Sequence, residues 1–319
     1  MRVLVAEPLS AAGIDLLSTE HEVDNRPGLA RDELLHALPD YDALVVRSGV
    51  KVDAQAIDAG RRLKVIGRAG VGVDNIDVDA ATAAGVVVVN APTANTIAAA
   101  ELTIGLIYAL ARNIAAADAS LRRGEWRRAD FMGMELRGKT LGIVGLGKIG
   151  LAIADRARAM EMELVGSDPF VAAEAAAEHG IELVELGELL RRSDVVTVHV
   201  PLNDATRGLI DERALRLMKP SAFVINVARG GVVDEKALAE ALHAGRLAGA
   251  AMDVYESEPP RDSPLLSAPN TILTPHLGAS TREAQAKAGV EVAQQVLDVL
   301  AGRPARYAVN SPPAGVARN

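Results

Sequence analysis

The feature that most constrains the fold of this chain is an alternation between short apolar runs and helical patterns. Ten such runs recur along its 319 residues: RVLVAE, ALVVRS, KVIGRA, VVVVN, TLGIVG, ELVGSD, VVTVHV, FVINVA, GAAMDV and TILTPH. Continuous apolar strands separated by helices are typical of parallel sheets that are covered on both faces. The sequence therefore predicts an α/β fold built from doubly wound parallel sheets.

The chain length predicts about two domains. The longest helical candidates lie around residues 95–120 and 281–300, where each suits a connector between two runs of strands. We therefore expect a discontinuous domain formed by residues 1–92 and 287–319, and a second domain formed by residues 93–286.

Composition excludes several classes of function. A formal net charge of −8 argues against a general nucleic-acid-binding protein, because phosphate backbones attract basic surfaces. The chain contains no cysteine, which excludes disulfides, thiolate metal sites and a cysteine nucleophile, and no metal site is expected. The N-terminal stretch MRVLVAEPLS enters a strand-like run directly, and the apolar stretch LTIGLIYALA is too short to span a bilayer. We expect a cytoplasmic protein without membrane partners.

One glycine-rich stretch, TLGIVGLGKIG, predicts a dinucleotide site. Gly145, Gly147 and Gly150 match the spacing G-x-G-x-x-G between an apolar strand and a helix. In this motif the first glycine forms the tight turn, the second lets a pyrophosphate approach the backbone, and the third lets helix and strand pack closely. Asp168 ends the next strand, where a carboxylate binds ribose hydroxyls and repels a 2′-phosphate, so we expect NAD. The alternative for Asp168 is a helix cap or turn residue.

Three later strands are each followed by side chains that can bind charged groups or transfer protons. Arg229 follows FVINVA, Asp253 and Glu258 follow GAAM, and His276 follows TILTP. Ligands of open parallel sheets bind outside the carboxyl ends of the strands. An arginine binds a carboxylate, a histidine accepts a hydroxyl proton, and a carboxylate orients the ring. Taken singly, three of these residues have a structural alternative: Arg229 as a helix cap, Glu258 as a loop charge, and His276 as a packed strand end.

A family resemblance rests on several longer stretches that span nearly the whole chain. They are GRAGVGVDNID, NTIAAAEL, FMGMELRGKTLGIVGLGKIG, INVARGGVVDE, DVYESEPP and PHLGAST. With these stretches the chain resembles the D-isomer-specific 2-hydroxyacid dehydrogenases, and FMG together with PHLGAST points to the phosphoglycerate branch rather than the lactate branch. The resemblance implies a flavodoxin-like substrate domain, a Rossmann-type NAD-binding domain, and no C-terminal regulatory domain.

The resemblance also implies a role for each matching residue. In the catalytic set, Arg229 binds the substrate carboxylate, Glu258 pairs with His276, and His276 is the acid/base. The cofactor contacts besides the three glycines and Asp168 are Lys148, Ile149, Ala228, Asp253, His276 and Ala279. The substrate contacts besides Arg229 are Arg47, Ser48, Arg68, Gly70, Val71 and Arg128. The substrate carboxylate is expected to meet Gly70 and Val71. The distal end of the substrate is expected to meet Arg47, Ser48 and Arg68. The alternative for Arg128 is a solvated surface charge.

The expected activity is NAD-dependent oxidation of D-3-phosphoglycerate to 3-phosphohydroxypyruvate, the first step of serine biosynthesis, by a homodimer or a tetramer. One alternative is a glyoxylate or hydroxypyruvate reductase, or another D-2-hydroxyacid dehydrogenase. A second alternative, from another class, is an NAD(H)-sensing binding protein on the same fold.

Overall fold

A computed structural model describes residues 1–313 and divides the chain into two compact units. Unit 1 comprises Met1–Asn95 and the chain from Ala279 onward, and unit 2 comprises Thr96–Gly278. The sequence places these boundaries at 92/93 and 286/287, whereas the structure divides the chain at 95/96 and 278/279. Residues 314–319 of the expected segment 287–319 lie outside the described residues.

Strands and short helices alternate through both units. In chain order within the described residues they are Arg2–Val5 (β1), Ala11–Ser18 (α1), Glu22–Asn25 (β2), Arg31–Ala37 (α2), Ala43–Val46 (β3), Ala54–Ala59 (α3), Val65–Arg68 (β4), Val78–Ala83 (α4), Val87–Asn90 (β5), Thr96–Ala111 (α5), Ile114–Arg122 (α6), Thr140–Val144 (β6), Lys148–Ala159 (α7), Glu163–Ser167 (β7), Ala173–Glu178 (α8), Glu182–Leu183 (β8), Leu186–Arg192 (α9), Val195–Val198 (β9), Glu212–Leu217 (α10), Phe223–Asn226 (β10), Glu235–His243 (α11), Gly249–Met252 (β11), Thr271–Leu273 (β12) and Arg282–Leu300 (α12). Short 3-10 turns occur at Leu38–Asp40, Arg128–Phe131 and Pro264–Ser267.

The sheet of unit 1 has the strand order β2-β1-β3-β4-β5, with parallel pairing throughout the described ladders. This is the flavodoxin-like order. Helix α12 belongs to this unit because its apolar side chains, Val292 and Val296 among them, pack with Val3, Val5 and Val45 of the sheet. The expected flavodoxin-like domain is confirmed.

The sheet of unit 2 has the order β12-β11-β10-β9-β6-β7-β8 and is also parallel along its described ladders. The order reverses at β6, which pairs with β7 on one side and β9 on the other. Such a switch point is where doubly wound sheets bind their ligands, at the carboxyl ends of the strands. The expected Rossmann-type domain is confirmed.

The structure corrects the element assignment in three places. Two strands, β2 and β8, were not among the apolar runs, because both lie at sheet edges and carry polar side chains. The single helix expected around residues 95–120 is two helices, α5 and α6, bent by 62°. Asn113 adopts a left-handed conformation (φ 52°) between them, which asparagine tolerates better than most residues.

Among the described residues, no single helix combines the length and the apolar composition that crossing a membrane requires. The bent pair α5 and α6 passes that test only when its two halves are counted together.

Candidate active site

The glycine loop after β6 has the geometry of a dinucleotide-binding turn. Gly145 has a left-handed backbone (φ 94°), and a Cβ at this position would lie 2.6 Å from the carbonyl oxygen of His199. A Cβ at Gly150 would lie 2.1 Å from the carbonyl oxygen of Gly145, so this residue allows the helix to pack closely on the loop. At Gly147, by contrast, no described atom lies within 4 Å of an added Cβ. The close packing of the loop therefore requires glycine at positions 145 and 150, whereas Gly147 leaves open space.

That open space lies at the start of α7. Gly147 is the N-cap residue, and Lys148 and Ile149 form the first helical turn. The first backbone N–H groups of a helix have no acceptor within the helix and carry the positive end of its dipole, which suits a pyrophosphate. The residues present therefore fit the phosphates of NAD, and Lys148 and Ile149 stay predicted contacts.

Asp168 follows β7 and holds the glycine loop as well as its own turn. One carboxylate oxygen accepts the backbone N–H of Leu146 at 2.8 Å, and the other accepts that of Phe170 at 2.9 Å. Asp168 therefore acts as a turn residue, which was the alternative to ribose binding. This role does not exclude ribose binding, because each carboxylate oxygen has a second lone pair to accept a further hydrogen bond.

His276 and Glu258 form a pair in unit 2. The ring Nδ1 of His276 lies 2.8 Å from Oε2 of Glu258, and the two side chains are 46% and 40% exposed. Burial favours the neutral carboxyl group, but the hydrogen bond and charge of His276 outweigh it, and the pKa of Glu258 lies below its ordinary value. With Nδ1 directed at an ionised carboxylate, Nε2 is the ring nitrogen left to exchange a proton.

The loop that carries His276 is held by Asp253, a fully buried residue directly after β11. Its carboxylate accepts the hydroxyl of Thr274 at 2.6 Å, the N–H of Leu277 at 2.7 Å and the N–H of Gly278 at 2.8 Å. Its carbonyl oxygen accepts the N–H of His276 at 2.8 Å. The structure thus gives Asp253 a positioning role that the sequence prediction, a cofactor contact, did not include.

The turn that carries Arg229 is held by Asn226, the buried last residue of β10. The side-chain oxygen of Asn226 accepts the N–H of Ala228 at 3.0 Å, and its amide donates to the carbonyl oxygen of Arg229 at 2.9 Å. A Cβ at Gly230 would lie 1.8 Å from the carbonyl oxygen of Tyr255. Glycine therefore lets the Arg229 turn pass directly against the chain that leads to Glu258.

A second histidine lies at the carboxyl edge of the same sheet but has a different character. His199 follows β9, and its Nε2 lies 2.7 Å from the hydroxyl of Thr197. Burial lowers the pKa of His199 to about 3, so this ring is neutral at ordinary pH. Of the two, only His276 is paired with a carboxylate among the described residues.

Unit 1 holds the predicted loop of Arg47 and Ser48 after β3. The carboxylate of Glu7, which follows β1, accepts the backbone N–H groups of Arg47 at 2.6 Å, Gly49 at 2.9 Å and Val50 at 3.1 Å. From the other side, the amide of Asn75 donates to the carbonyl oxygens of Arg47 and Val50 at 2.8 and 2.7 Å. The loop backbone is therefore fixed on two sides, while Ser48 is exposed.

The predicted carboxylate loop, Gly70 and Val71, lies directly against Arg68. A Cβ at Gly70 would lie 1.7 Å from Nη1 of Arg68, so the guanidinium group occupies the space that glycine leaves. Asn90 donates to the carbonyl oxygen of Val71 at 2.6 Å and fixes the far end of this loop. The sequence assigns Arg68 and Gly70 to opposite ends of the substrate, whereas the structure brings the two together.

Two further predicted contacts remain to be located. Arg128 begins an exposed 3-10 turn in unit 2. Ala279, expected in the cofactor domain, is the first residue of the second segment of unit 1. Among residues 1–313 no group of three or more His, Cys, Asp or Glu side chains is arranged to hold a metal ion.

Comparison with known proteins shows the family. Residues 104–278 match the family model described as D-isomer specific 2-hydroxyacid dehydrogenase, NAD binding domain. The chain is 52% identical over 314 residues to a protein named D-3-phosphoglycerate dehydrogenase from Archaeoglobus fulgidus, covering 98% of this chain and 60% of that relative. This chain therefore spans about 60% of the length of that curated relative.

Solved structures agree with this assignment. A protein from Thermus thermophilus is 36% identical, with a TM-score of 0.89 over 97% of this chain and 100% of its own. A glyoxylate reductase from Paecilomyes thermophila is 33% identical, with a TM-score of 0.87 over 97% of this chain and 98% of its own. Together with the match over residues 104–278, these likenesses show that the chain belongs to the D-isomer-specific 2-hydroxyacid dehydrogenase family.

Proposed function

We propose that the protein oxidises D-3-phosphoglycerate to 3-phosphohydroxypyruvate with NAD, the first step of serine biosynthesis. The observation that carries the dehydrogenase activity is the 2.8 Å pair between His276 and Glu258 beside Arg229 in unit 2. The relative named D-3-phosphoglycerate dehydrogenase, 52% identical over 98% of this chain, supports the choice of substrate.

The chain's own residues account for the movement of the proton. Nδ1 of His276 donates to Glu258, so Nε2 accepts the proton of the substrate hydroxyl as the C2–O bond gains double-bond character. Glu258 remains ionised and stabilises the ring once it is protonated. Arg229 binds the substrate carboxylate through its two-pronged guanidinium group. The glycine loop, the start of α7 and Asp168 would hold NAD, which would supply the acceptor for the hydride that leaves C2.

Unit 1 supplies the proposed recognition groups for the rest of the substrate. Arg47 and Arg68 bind the phosphate, with a hydrogen bond from the exposed hydroxyl of Ser48. The Gly70–Val71 loop binds the carboxylate through backbone N–H groups. Arg128 of unit 2 is a further cation proposed for the phosphate.

A glyoxylate or hydroxypyruvate reductase is the second candidate, because a solved glyoxylate reductase is 33% identical over nearly the whole chain. Such an enzyme uses the same histidine, carboxylate and arginine but needs no phosphate site. The two candidates therefore differ in what Arg47 and Arg68 contribute. An NAD(H)-sensing binding protein differs from both, since it forms no NADH from any 2-hydroxy acid.

A homodimer, or a tetramer, is proposed through the segment 97–132 of unit 2. This segment exposes several large apolar side chains, among them Trp126 at 77% and Met132 at 85%, and exposed apolar patches commonly mark association surfaces. We expect light scattering to give at least the mass of a dimer and Trp126→Glu to reduce it. A monomeric mass for the unmodified protein would contradict the proposal.

A cytoplasmic location stays a prediction.

The first prediction on activity concerns the phosphate. A hydrogen bond to a charged group contributes roughly 1.5–3 kcal/mol, so two contacts made only to phosphate favour the phosphorylated substrate by on the order of 10²-fold. We expect kcat/KM for 3-phosphoglycerate to exceed that for D-glycerate by at least about this factor. Arg47→Ala should erode the preference and leave activity on D-glycerate nearly unchanged.

Arg61→Ala is the matched control, because Arg61 is an exposed arginine of the same unit. Arg68→Ala is the less selective variant, since Arg68 also packs on Gly70 and its loss should weaken carboxylate binding as well. Equal kcat/KM for the two substrates in the unmodified protein would reject the assignment in favour of the reductase. Absence of NADH formation with every 2-hydroxy acid would reject both enzymes.

Asp168 should set the preference for NAD over NADP. Asp168→Asn keeps an oxygen that can accept the N–H of Leu146 but removes the charge that repels a 2′-phosphate. We therefore expect the ratio of kcat/KM with NAD to that with NADP to fall by about tenfold or more, in line with the loss of one charged interaction. Glu178→Gln, which removes a charge from an exposed position of α8, should leave the ratio unchanged.

Glu258→Gln should displace the pH profile of oxidation. Although burial favours its neutral form, the pKa of Glu258 lies below its ordinary value, chiefly through its hydrogen bond to His276, so this carboxylate is ionised at neutral pH. The acidic limb of kcat/KM therefore reports the His276 ring, which must be neutral to accept a proton. Without the carboxylate the protonated ring loses stabilisation, so the limb should move to lower pH. A limb at its original pH would mean that the two side chains are not coupled in catalysis.

A further inference from the structure

The segment that carries Glu258 depends on a carboxylate from another element. After β11 the chain runs through Glu256, Glu258 and Ser263 outside any strand or helix before the 3-10 turn at Pro264–Ser267. Glu258 itself makes one backbone hydrogen bond, from the N–H of Tyr255 at 3.2 Å. Because the Glu258 side chain is 40% exposed, hydrogen bonds contribute strongly to fixing its position.

Glu235 supplies a further restraint on this segment. It is the first residue of α11 and is only 6% exposed. One of its carboxylate oxygens accepts the backbone N–H of Glu256 at 2.6 Å, and the other accepts the hydroxyl of Ser263. These two donors flank Glu258 in the chain. One carboxylate thus connects both ends of the segment 256–263 to the first turn of a helix.

We propose that Glu235 is a positioning residue for proton transfer: its buried carboxylate holds the segment 256–263 so that Glu258 stays within hydrogen-bonding distance of His276. This inference rests on the proposed function, because it assigns Glu235 a part in the same proton transfer. Nothing in the sequence pattern around Glu258 indicates this dependence, since Glu235 lies 21 residues before Glu256 and 28 before Ser263.

The position of Glu235 explains why an acid can be buried there. The first turn of α11 carries the positive end of the helix dipole, which favours a negative side chain. Asp234 caps the same helix by accepting the N–H of Ala237 at 2.9 Å, which leaves the carboxylate of Glu235 to the segment 256–263. A buried charge that lost these donors would be costly, so the carboxylate and the segment hold each other in place.

The connection from Glu235 to Glu258 runs through Tyr255. The N–H of Tyr255 binds Glu258, and the next N–H along the chain, that of Glu256, binds Glu235. The Tyr255 hydroxyl donates to the carbonyl oxygens of Met252 and Thr274, both at 3.1 Å. Burial, with Asp253, Glu235 and Glu258 nearby, raises the pKa of Tyr255 to about 12, so the hydroxyl keeps its proton. A shift of residue 256 would therefore reach Glu258 directly.

The test compares Glu235→Ala with the unmodified protein in NAD-dependent oxidation of 3-phosphoglycerate. General acid–base catalysis contributes about 10²- to 10⁴-fold, and a displaced Glu258 should forfeit part of it. We expect kcat to fall by about tenfold or more, NAD affinity to change by less than about twofold, and the acidic limb of kcat/KM to move to lower pH. Glu240→Ala, an exposed glutamate on the same helix, is the control and should match the unmodified protein.

A double-variant cycle separates positioning from general destabilisation. If Glu235 acts through Glu258, then Glu235→Ala combined with Glu258→Gln should be no slower than Glu258→Gln alone. Multiplied losses, or an acidic limb at its original pH in Glu235→Ala, would overturn the proposal. Glu235→Gln, which keeps one acceptor oxygen, should restore part of the rate. Ser263→Ala, a milder change that removes one donor, gives the same comparison if Glu235→Ala does not fold.

A measurement without turnover distinguishes failure of this inference from failure of the proposed function. The ring protons of His276, followed by NMR across pH, report its pairing with Glu258 whether or not 3-phosphoglycerate is the substrate. We expect the titration of His276 to move to lower pH in Glu235→Ala and to stay unchanged in Glu240→Ala. An unchanged titration in Glu235→Ala would overturn the positioning role even if oxidation of 3-phosphoglycerate were established.

Discussion

The buried carboxylate of Asp253 is the interaction on which the geometry of unit 2 most depends. It lies between β11 and the loop after β12, and it binds Thr274, Leu277 and Gly278 around His276. An ionised group buried without partners would be strongly unfavourable, so these donors and the carboxylate are stable only together. These bonds hold the loop while His276 adopts a left-handed backbone (φ 55°) within it.

The same arrangement, a carboxylate that accepts loop N–H groups, follows two other strands. Glu7 after β1, Asp168 after β7 and Asp253 after β11 each accept backbone N–H groups from a neighbouring loop. Glu235 does so from the start of a helix. Loops outside a sheet contain N–H groups without ladder partners, and a carboxylate can accept several of them. Acidic side chains therefore order the loops that carry Arg47, Leu146 and His276, while the sheets supply the rigid base.

The sequence predicts most of the fold because apolar periodicity reports buried parallel strands. It misses β2 and β8, whose edge positions allow polar side chains, and the break at Asn113, which depends on one left-handed residue. In the candidate site it predicts His276, Glu258 and Arg229, since each follows an apolar run. It gives no signal for Glu7 or Glu235, whose partners lie 40 and 21 residues away, because no local pattern encodes a bond to a distant backbone N–H.

Residue type alone does not decide which histidine can move a proton. His199 and His276 both follow strands of the same sheet, yet burial lowers the pKa of His199 to about 3, whereas His276 is partly exposed and meets an ionised carboxylate. The strands that precede the two histidines also differ in their place in the sheet. β12 pairs only with β11 in the described sheet, so its end is open to the chain that leaves β11, and this chain carries Glu258. β9, which precedes His199, lies between β6 and β10. The histidine that meets a carboxylate is thus the one that follows the edge strand, and it is the ring to which we assign proton transfer.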